Sequence, residues 1–267
     1  AYYDEYKALG IEVEDNIKLV NATNPNIETI RNSIVPTQLC QVKYNTAYAP
    51  DFGVFEIGRV AKGLKSDGLA DEHKMLAITL FSKTKSIEKL YFELRDMIAT
   101  FTDSIKHKSL DFAPAAQTHS YEHPRNLNKI ICDGKDLGTI GIVHPVVSKK
   151  IDKKASIVFA EIDVKAFAEI VNASITYEEP SKYPAMEIDL SFVTDKFAPI
   201  KTAIEAAKSK LVKKIEVVDT YCDGDAKSIT TRITFSHPEK TLTREEVMDI
   251  VNTVIDKLDS DGIKLKK

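Results

Sequence analysis

The segment from residue 24 to residue 60 restricts the fold more than any other part of the chain. It reads NPNIETIRNSIVPTQLCQVKYNTAYAPDFGVFEIGRV. Proline lacks an N–H and is tolerated only in the first turn of a helix, so Pro36 predicts a helix start, with Asn32 or Ser33 as the cap. Asn24 and Pro25 predict a turn before this helix, and the run FEIGR at residues 55–59 predicts a strand after it.

Apolar runs of strand length and one long helical pattern follow. In residues 86–101 apolar side chains recur at helical spacing with charged residues between them, which is typical of an amphipathic helix packed on a sheet. Asp133 and Gly134 separate two apolar runs, which predicts a hairpin with a loop longer than two residues. Strands are predicted at residues 71–81, 128–132, 137–143 and 157–162, and a short helix at residues 164–170.

The best candidate for a domain boundary is the segment YEEPSKY at residues 177–183. It is polar, contains proline and shows no periodicity. We therefore predict one domain at residues 1–176 and a second domain at residues 177–267.

The second domain shows the element order β-α-β-β-α-β. Ile188, Leu190 and Phe192 alternate with polar residues in its first strand, and Thr243 with Glu246 forms a capping box before its second helix. This order predicts a ferredoxin-like fold, in which both helices cover one face of a four-stranded antiparallel sheet and the other face stays open. The whole chain is thus predicted to be an α+β protein.

Composition narrows the class of protein. Lysine and arginine total 37 against 40 aspartate and glutamate, so any RNA contact must come from a local arrangement of charge.

Cys40, Cys132 and Cys222 are odd in number and far apart, which favours a reducing cytoplasm over a disulfide framework. No apolar run approaches the roughly 18 to 20 residues that span a bilayer. Without an initiating Met or a signal peptide, the sequence is expected to be a piece from the C-terminal end of a longer chain.

Several strings taken together resemble one family, the beta subunits of bacterial phenylalanyl-tRNA synthetases. In the first domain they are the NP turn, the R-x-S helix start before Pro36, the FEIG strand, HP at 123–124, DGK at 133–135, Gly138, Gly141 and HP at 144–145. In the second domain they are YP at 183–184, DLSFV at 189–193, KSITTRITF at 227–235 and TLTREEV at 241–247. The resemblance covers most of the chain.

The resemblance implies a fold and a function for each domain. The first would be an N-terminally truncated, non-catalytic copy of the class II synthetase fold, an antiparallel sheet with flanking helices that packs against a catalytic alpha subunit in a heterotetramer. The second would be the ferredoxin-fold anticodon-binding domain, which binds tRNA(Phe) during protein biosynthesis in the cytoplasm. The resemblance implies no cofactor for this chain, because ATP and Mg²⁺ are used by the holoenzyme, and it implies no DNA or membrane partner.

A class II catalytic site needs one arginine on its motif 2 strand and another in its motif 3 helix, because a transferring phosphoryl or adenylyl group is stabilised by fixed cationic forks. The region that aligns with motif 2 reads FEIGRVAKG, with Lys62 near the expected arginine. The motif 3 region, residues 158–170, contains neither glycine nor arginine. We therefore predict no catalytic residue in this chain. The spacing of His, Cys and carboxylate residues shows no ligand cluster, so we also predict no metal ligand.

Period-two alternation predicts the open face of the second domain. If Ile229, Ile233 and Phe235 point towards the helices, the residues between them point away. By the resemblance, this face would stack on and hydrogen-bond an anticodon base, although an ordinary solvated sheet face is the alternative. The residues predicted to bind tRNA are Tyr221, Ser228, Thr230, Arg232, Lys264 and Lys266.

A subunit of a larger assembly is expected to expose apolar area where its partner binds. We place this area around the predicted helix that begins near Ser33. The residues predicted to contact the alpha subunit are Leu39, Val42, Tyr44 and Tyr48.

Other functions remain open from the residues alone. A small-molecule-sensing ferredoxin-like module would need a glycine-rich loop after its first strand, and VTDKFAP at residues 193–199 has none. An autonomous class II ligase is disfavoured by the missing arginines. His123 and His144 invite a metal or general-base interpretation, but each precedes a proline, which favours turn structure.

Overall fold

The computed structural model describes residues 3–12, 17–24, 27–174, 179, 181–207, 209–223 and 226–266. It divides the chain into two units, Ala1–Ile175 and Thr176–Lys267. The predicted turn at residues 24–25 and the predicted boundary at residues 177–183 both include residues outside the described part. No described helix is long and apolar enough to cross a membrane.

Unit 1 is built on a six-stranded antiparallel sheet with the strand order β3-β4-β8-β7-β6-β5. A separate two-stranded sheet joins β1 and β2. The elements of unit 1 are α1 (Tyr3–Leu9), β1 (Ile17–Lys18), β2 (Thr29–Ile30), α2 (Val35–Asn45), β3 (Asp51–Leu64), β4 (Ala70–Ser82), α3 (Ile87–Lys106), β5 (Asp111–Pro114), β6 (Glu122–Cys132), β7 (Lys135–Val143), α4 (Pro145–Ile151), β8 (Ser156–Asp163) and α5 (Val164–Ala168).

Helices cover both faces of this sheet. Alternate side chains of β4 enter two different cores: Ala77 and Phe81 pack with α1, α2 and α4, whereas Leu80 packs with α3. The predicted amphipathic helix is α3, which is capped by Ser86 and buries Leu90, Leu94 and Ile98. From Met75 to Phe81 this strand is therefore apolar at nearly every position, because each of its faces meets a helix there.

The start of α2 differs from the sequence-based prediction. Pro36 lies in the first turn as expected, but the N-cap is Ile34, so the prediction of Asn32 or Ser33 is wrong. Isoleucine has no side-chain acceptor. Instead the Ile34 N–H donates to Glu161 Oε1 at 2.7 Å, and the Val35 N–H donates to Ser33 Oγ at 3.1 Å. A carboxylate from β8 thus replaces the missing local cap.

The hairpin between β6 and β7 is tighter than predicted. Cys132 pairs directly with Lys135, so the loop consists of Asp133 and Gly134 alone. Both have positive φ angles, 51° and 71°, which is the requirement of the two-residue turn that favours Asp-Gly. The expectation of a longer loop is therefore wrong.

Unit 2 has a three-stranded antiparallel sheet with the order β10-β11-β9. Its elements are β9 (Met186–Phe192), α6 (Phe197–Ala206), β10 (Val212–Asp223), β11 (Ala226–Phe235) and α7 (Arg244–Ser260). The predicted fourth strand is only a bridge between Leu265 and Phe192, with the Lys266 N–H donating to the Ser191 carbonyl at 2.7 Å. It lies beside β9, at the position that the ferredoxin-like order gives to the last strand.

One core joins the two helices of unit 2 to its sheet. Ile200 of α6 and Val251 of α7 pack with Phe192, Ile233 and Phe235 of the strands. The predicted capping box of α7 is present, since Glu246 N donates to Thr243 Oγ1 at 3.4 Å and Thr243 N donates to Glu246 Oε2 at 3.1 Å. The predicted α+β class with antiparallel sheets and flanking helices is confirmed.

Candidate functional site

The sheet of unit 2 has one face packed on the helices and one face that we call the open face. Along β11, Ile229, Thr231, Ile233 and Phe235 are buried on the helix side. The residues between them point to the opposite side because side chains alternate along a strand. The strand register adds neighbours from β10 and β9. The open face contains Glu187, Asp189, Ser191, Lys214, Glu216, Asp219, Tyr221, Ser228, Thr230, Arg232 and Thr234.

Tyr221, Ser228 and Lys266 form a cluster at one end of the open face. Tyr221 pairs with Ser228 in the register of β10 and β11. Lys266 Nζ donates to Ser228 Oγ at 3.3 Å and lies 4.8 Å from the centre of the Tyr221 ring. The Tyr221 side chain is about half exposed, whereas Ser228 is buried beneath this arrangement. The cluster therefore presents a half-exposed aromatic ring with an ammonium group over it.

Arg232 lies at the other end of the open face and is held by carboxylates. Its Nε and Nη2 donate to the two oxygens of Asp189 at 2.7 and 2.8 Å, and Nη1 lies 3.4 Å from Glu187. The hydrogen bonds from Arg232 lower the pKa of Asp189, and the same pair raises the pKa of Arg232. The guanidinium fork is thus already occupied within the domain.

The remaining predicted residues lie between or beside these two ends. Thr230 Oγ1 and Ser191 Oγ are joined by a hydrogen bond of 2.8 Å in the middle of the face. Lys264 is exposed, and its carbonyl accepts from the Val193 N–H. Neither Lys264 nor Lys266 forms an ion pair with a residue that the structure describes. The structure thus brings all six predicted residues to one sheet. Arg232 is paired with carboxylates, whereas Lys266 forms no ion pair with a described residue.

The predicted contact residues of unit 1 require a correction. Leu39 and Val42 have no exposed surface because this side of α2 packs in the core against the sheet. They are unavailable to any partner. Tyr44 and Tyr48 are 58% and 85% exposed, and the Tyr44 hydroxyl donates to Glu5 at 2.9 Å.

Exposed apolar side chains of unit 1 occur instead along β3 and α3, a surface that the sequence analysis missed. Phe55 and Ile57 of the edge strand β3 are 77% and 55% exposed, and Met97 of α3 is 46% exposed. Phe55 and Met97, together with Ile78 and Leu80, line a groove of about 370 Å³, which we call the β3–α3 groove. Ile57 follows Phe55 on the same face of β3. The sequence does contain a sign of this surface. Between residues 52 and 57 apolar side chains occur at both even and odd positions, so both faces of the strand carry apolar residues.

The two histidines before prolines have local structural roles. His123 Nδ1 accepts from the N–H groups of Arg125 and Asn126, and His144 caps α4 by accepting from the Val146 N–H at 3.2 Å. Both therefore act in turns, as the prolines predicted. The described residues contain no group of three or more His, Cys, Asp or Glu that could hold a metal ion.

A buried polar network in unit 1 was also missed. Glu161 Oε1 accepts from Ser33 Oγ at 3.2 Å in addition to the Ile34 N–H, and Ser33 Oγ is 3.0 Å from the Tyr121 hydroxyl. Burial raises the pKa of Glu161, and burial also raises the pKa of Tyr121. Because every hydrogen-bond partner here belongs to the fold, this network is structural.

Comparison with known proteins identifies the family of this chain. The family model described as "Phenylalanyl tRNA synthetase beta chain CLM domain" matches residues 3–164, and the one described as "Ferredoxin-fold anticodon binding domain" matches residues 181–266. The chain belongs to the phenylalanyl-tRNA synthetase beta chain family. This assignment does not favour a small-molecule-sensing module.

Curated relatives agree with this assignment. The chain is 28% identical to the "Phenylalanine--tRNA ligase beta subunit" of Bacillus subtilis, with 96% of this chain and 34% of the relative covered. It is 28% identical to that of Listeria monocytogenes serotype 4b, covering 94% and 33%, and 26% identical to that of Syntrophus aciditrophicus, covering 95% and 34%. The chain spans about one third of the length of these relatives.

Proposed function

We propose that this chain acts as a non-catalytic part of a phenylalanine–tRNA ligase beta subunit. Unit 2 binds the anticodon region of tRNA(Phe) through its open face, and unit 1 supports a catalytic alpha subunit. The observation that carries this proposal is the cluster of Tyr221, Ser228 and Lys266 on the uncovered side of a domain that matches an anticodon-binding family.

The chemistry of the cluster suits single-stranded RNA. An unpaired base can stack on the exposed face of Tyr221, and this contact tolerates any base because every base has a π-face. Lys266 and Lys264 supply ammonium groups for backbone phosphates. Since only a few phosphates can be neutralised here, the affinity of the isolated chain for RNA is expected to be weak and dependent on salt.

Arg232 is expected to contribute less than this cluster. Its guanidinium already makes two hydrogen bonds to Asp189, and Glu187 adds a second negative charge beside it. An RNA phosphate approaching this end meets two carboxylates, so the pair presents little net attraction. We still propose Arg232 and Thr230 as RNA contacts, but we expect each to contribute less binding free energy than Tyr221 or Lys266.

Binding of an anticodon stem-loop of tRNA(Phe) to the chain tests this face. We expect Tyr221→Ala to weaken binding by about 1 to 3 kcal/mol, the usual value of one base stacked on an aromatic ring, and Tyr221→Phe to retain most of the affinity. Lys266→Ala should reduce the slope of log affinity against log salt by about 0.7 to 0.9 for one lost phosphate contact. Affinity and its salt dependence would be measured by fluorescence anisotropy.

The matched control is Lys257→Ala, because Lys257 is exposed on α7, the helix side of the same domain. We expect this variant to bind RNA like the unmodified chain. Binding that is insensitive to Tyr221 and Lys266 but lost on substitution of Lys257 would place the RNA on the helices and contradict the proposal.

For the alpha subunit we propose the β3–α3 groove as the contact surface. Phe55, Ile57 and Met97 form the exposed apolar area that a stable subunit interface requires, whereas Leu39 and Val42 are occupied in the core. In the full-length beta subunit, Phe55→Ser with Ile57→Ser should reduce co-purification of the alpha subunit. Tyr48→Ser, which removes an equally exposed side chain elsewhere in unit 1, is the control. Loss of the complex in the control alone would contradict this placement.

We assign ATP, Mg²⁺ and phenylalanine to the alpha subunit of a cytoplasmic heterotetramer. This chain offers Lys62 in place of one phosphate-holding arginine, and residues 158–170 contain no arginine at all. The isolated chain is therefore expected not to catalyse phenylalanine-dependent ATP–pyrophosphate exchange. Exchange activity that co-purifies with the isolated chain would contradict the assignment.

A further inference from the structure

A second concave surface lies in unit 1, where α4 meets the beginning of β6 and the beginning of β8. It has a volume of about 280 Å³, and the apolar side chains of Ile142 and Ile157 are among its lining residues. His123, Asn126, Lys149 and Lys153 supply polar groups to it. We call this surface the basic basin.

The charged residues that line the basic basin are all basic. No aspartate or glutamate is among the described residues that line it, and neither Lys149 nor Lys153 forms an ion pair with a described residue. Of the acidic residues adjacent in sequence to the lining residues, Asp152 and Glu122 are engaged elsewhere, whereas Glu88 is exposed beside Ile87 at the start of α3. Asp152 pairs with Lys83 at 3.2 Å, and Glu122 accepts from the N–H groups of Thr118 and His119. Two lysines therefore line one concavity to which no described carboxylate contributes, an arrangement that favours a positive potential.

The local hydrogen bonds determine what His123 can offer to this basin. Its Nδ1 accepts from the backbone N–H groups of Arg125 and Asn126 at 3.1 and 3.2 Å. In the neutral ring the proton must therefore be on Nε2, which makes that nitrogen a donor. The Asn126 amide adds N–H donors of its own. The polar groups that can act as donors here are thus an imidazole N–H, an amide and two ammonium groups.

We propose that the basic basin binds a phosphate group. A phosphate has only acceptor oxygens and negative charge, which matches a set of donors without a carboxylate among them. The group can belong to the backbone of an RNA or to a free phosphorylated small molecule. The site lies in unit 1 and does not depend on the proposed role of the open face, so either proposal can fail while the other stands.

The same segment supplies a matched control pair. Lys150 and Lys154 are exposed lysines within two residues of Lys149 and Lys153, but neither lines the basin, and the side chain of Lys150 lies against Gly10. The double variant Lys150→Ala with Lys154→Ala removes the same charge as Lys149→Ala with Lys153→Ala. A comparison of the two variants therefore separates a site from a general effect of net charge.

The first arm of the test is a titration of the full chain with inorganic phosphate at constant ionic strength, followed by NMR of the His123 ring and of the Lys149 and Lys153 amides. We expect saturable shifts that persist in the control pair and weaken by about tenfold or more in the basin pair, because each lost ammonium removes a charge-assisted hydrogen bond. Thermal melting verifies that both double variants are folded.

The second arm measures the salt dependence of tRNA binding for the same variants. A fall in the slope by about one to two in the basin pair alone, one unit for each lost phosphate contact, identifies an RNA backbone as the source of the phosphate. Phosphate shifts without any change in RNA binding identify a free phosphorylated molecule. Absence of saturable shifts, or equal behaviour of the two double variants in both arms, overturns the proposal.

Discussion

The two sheets of this protein use polar side chains in different ways. In unit 1 helices cover both faces of the sheet, and polar residues such as Glu161, Gln38 and Thr79 are buried with partners inside the fold. In unit 2 helices cover one face only, and Tyr221 and Lys266 remain accessible on the other. Coverage of a sheet face therefore decides whether its polar residues stabilise the fold or remain available to a ligand.

The buried polar groups of unit 1 show what this coverage requires. Gln38 Nε2 donates to the Ala77 carbonyl at 3.0 Å, and Thr79 Oγ1 donates to Gln38 Oε1 at 2.7 Å. Glu161 performs the same task at the start of α2. A buried donor without a partner costs more than a typical hydrogen bond gains, so each of these side chains is tied to one specific neighbour.

The substitution with the largest expected effect on stability tests whether α2 packs in the core. We expect Leu39→Ala to lower the free energy of unfolding by about 2 to 5 kcal/mol, because the side chain is fully buried and the deletion leaves a cavity. Tyr48→Ala, in the exposed segment after the same helix, should change it by no more than about 0.5 kcal/mol. Chemical denaturation of both variants measures the difference. Similar small losses in both would mean that α2 is not packed as described.

The next effect tests the remote cap of α2. We expect Glu161→Ala to lower the free energy of unfolding by about 1 to 3 kcal/mol, because the Ile34 N–H and the Ser33 hydroxyl lose their buried acceptor. Glu161→Gln keeps an acceptor oxygen and should be much less destabilising. If the two variants are equally stable, the hydrogen bond to the helix start is unimportant.

The pH dependence of the Glu161→Gln variant isolates the cost of the buried charge. Burial raises the pKa of Glu161 above its ordinary value of 4.5, so the folded chain retains a proton that the unfolded chain has lost. The unmodified chain should therefore lose stability, relative to Glu161→Gln, as the pH rises from about 4.5 through the raised value. Denaturation curves at several pH values measure this difference. A constant difference, or one of opposite sign, contradicts the raised pKa.

The smallest effect concerns the Arg232 end of the open face. Asp189→Asn removes a carboxylate that occupies the guanidinium fork, so RNA affinity should rise by about two- to fivefold at low salt. Asp256→Asn makes the same charge change at an exposed position on α7 and is expected to have a weaker effect. Equal rises in the two variants would mean that only net charge matters and that Arg232 does not contact RNA.

Features that depend on neighbouring residues could be predicted from the sequence. The helical spacing of residues 86–101, the capping box of Thr243 and Glu246 and the alternation along β11 all appear in the structure. Each depends on a few consecutive residues whose preferences agree with the final fold. The ferredoxin-like order followed from the sequence for the same reason.

Features that depend on distant residues could not be predicted. In the sequence alone, Leu39 and Val42 fit an exposed apolar interface as well as a buried helix face. Only the packing of α2 on the sheet shows that they are buried. The basic basin likewise combines His123 with Lys149 and Lys153, which meet only when β6 and β7 are paired.

By itself, therefore, the sequence determined the order of elements in unit 2, the cap of α7 and the identity of the open face, because period and capping are local properties of the chain. Tertiary structure alone decided that Glu161 caps α2 from 127 residues away and that Arg232 is held by Asp189 across the pairing of β11 with β9. The physical reason is that burial and the choice of hydrogen-bond partner depend on strand register and on which face a helix covers, and both are settled only when distant segments pack together.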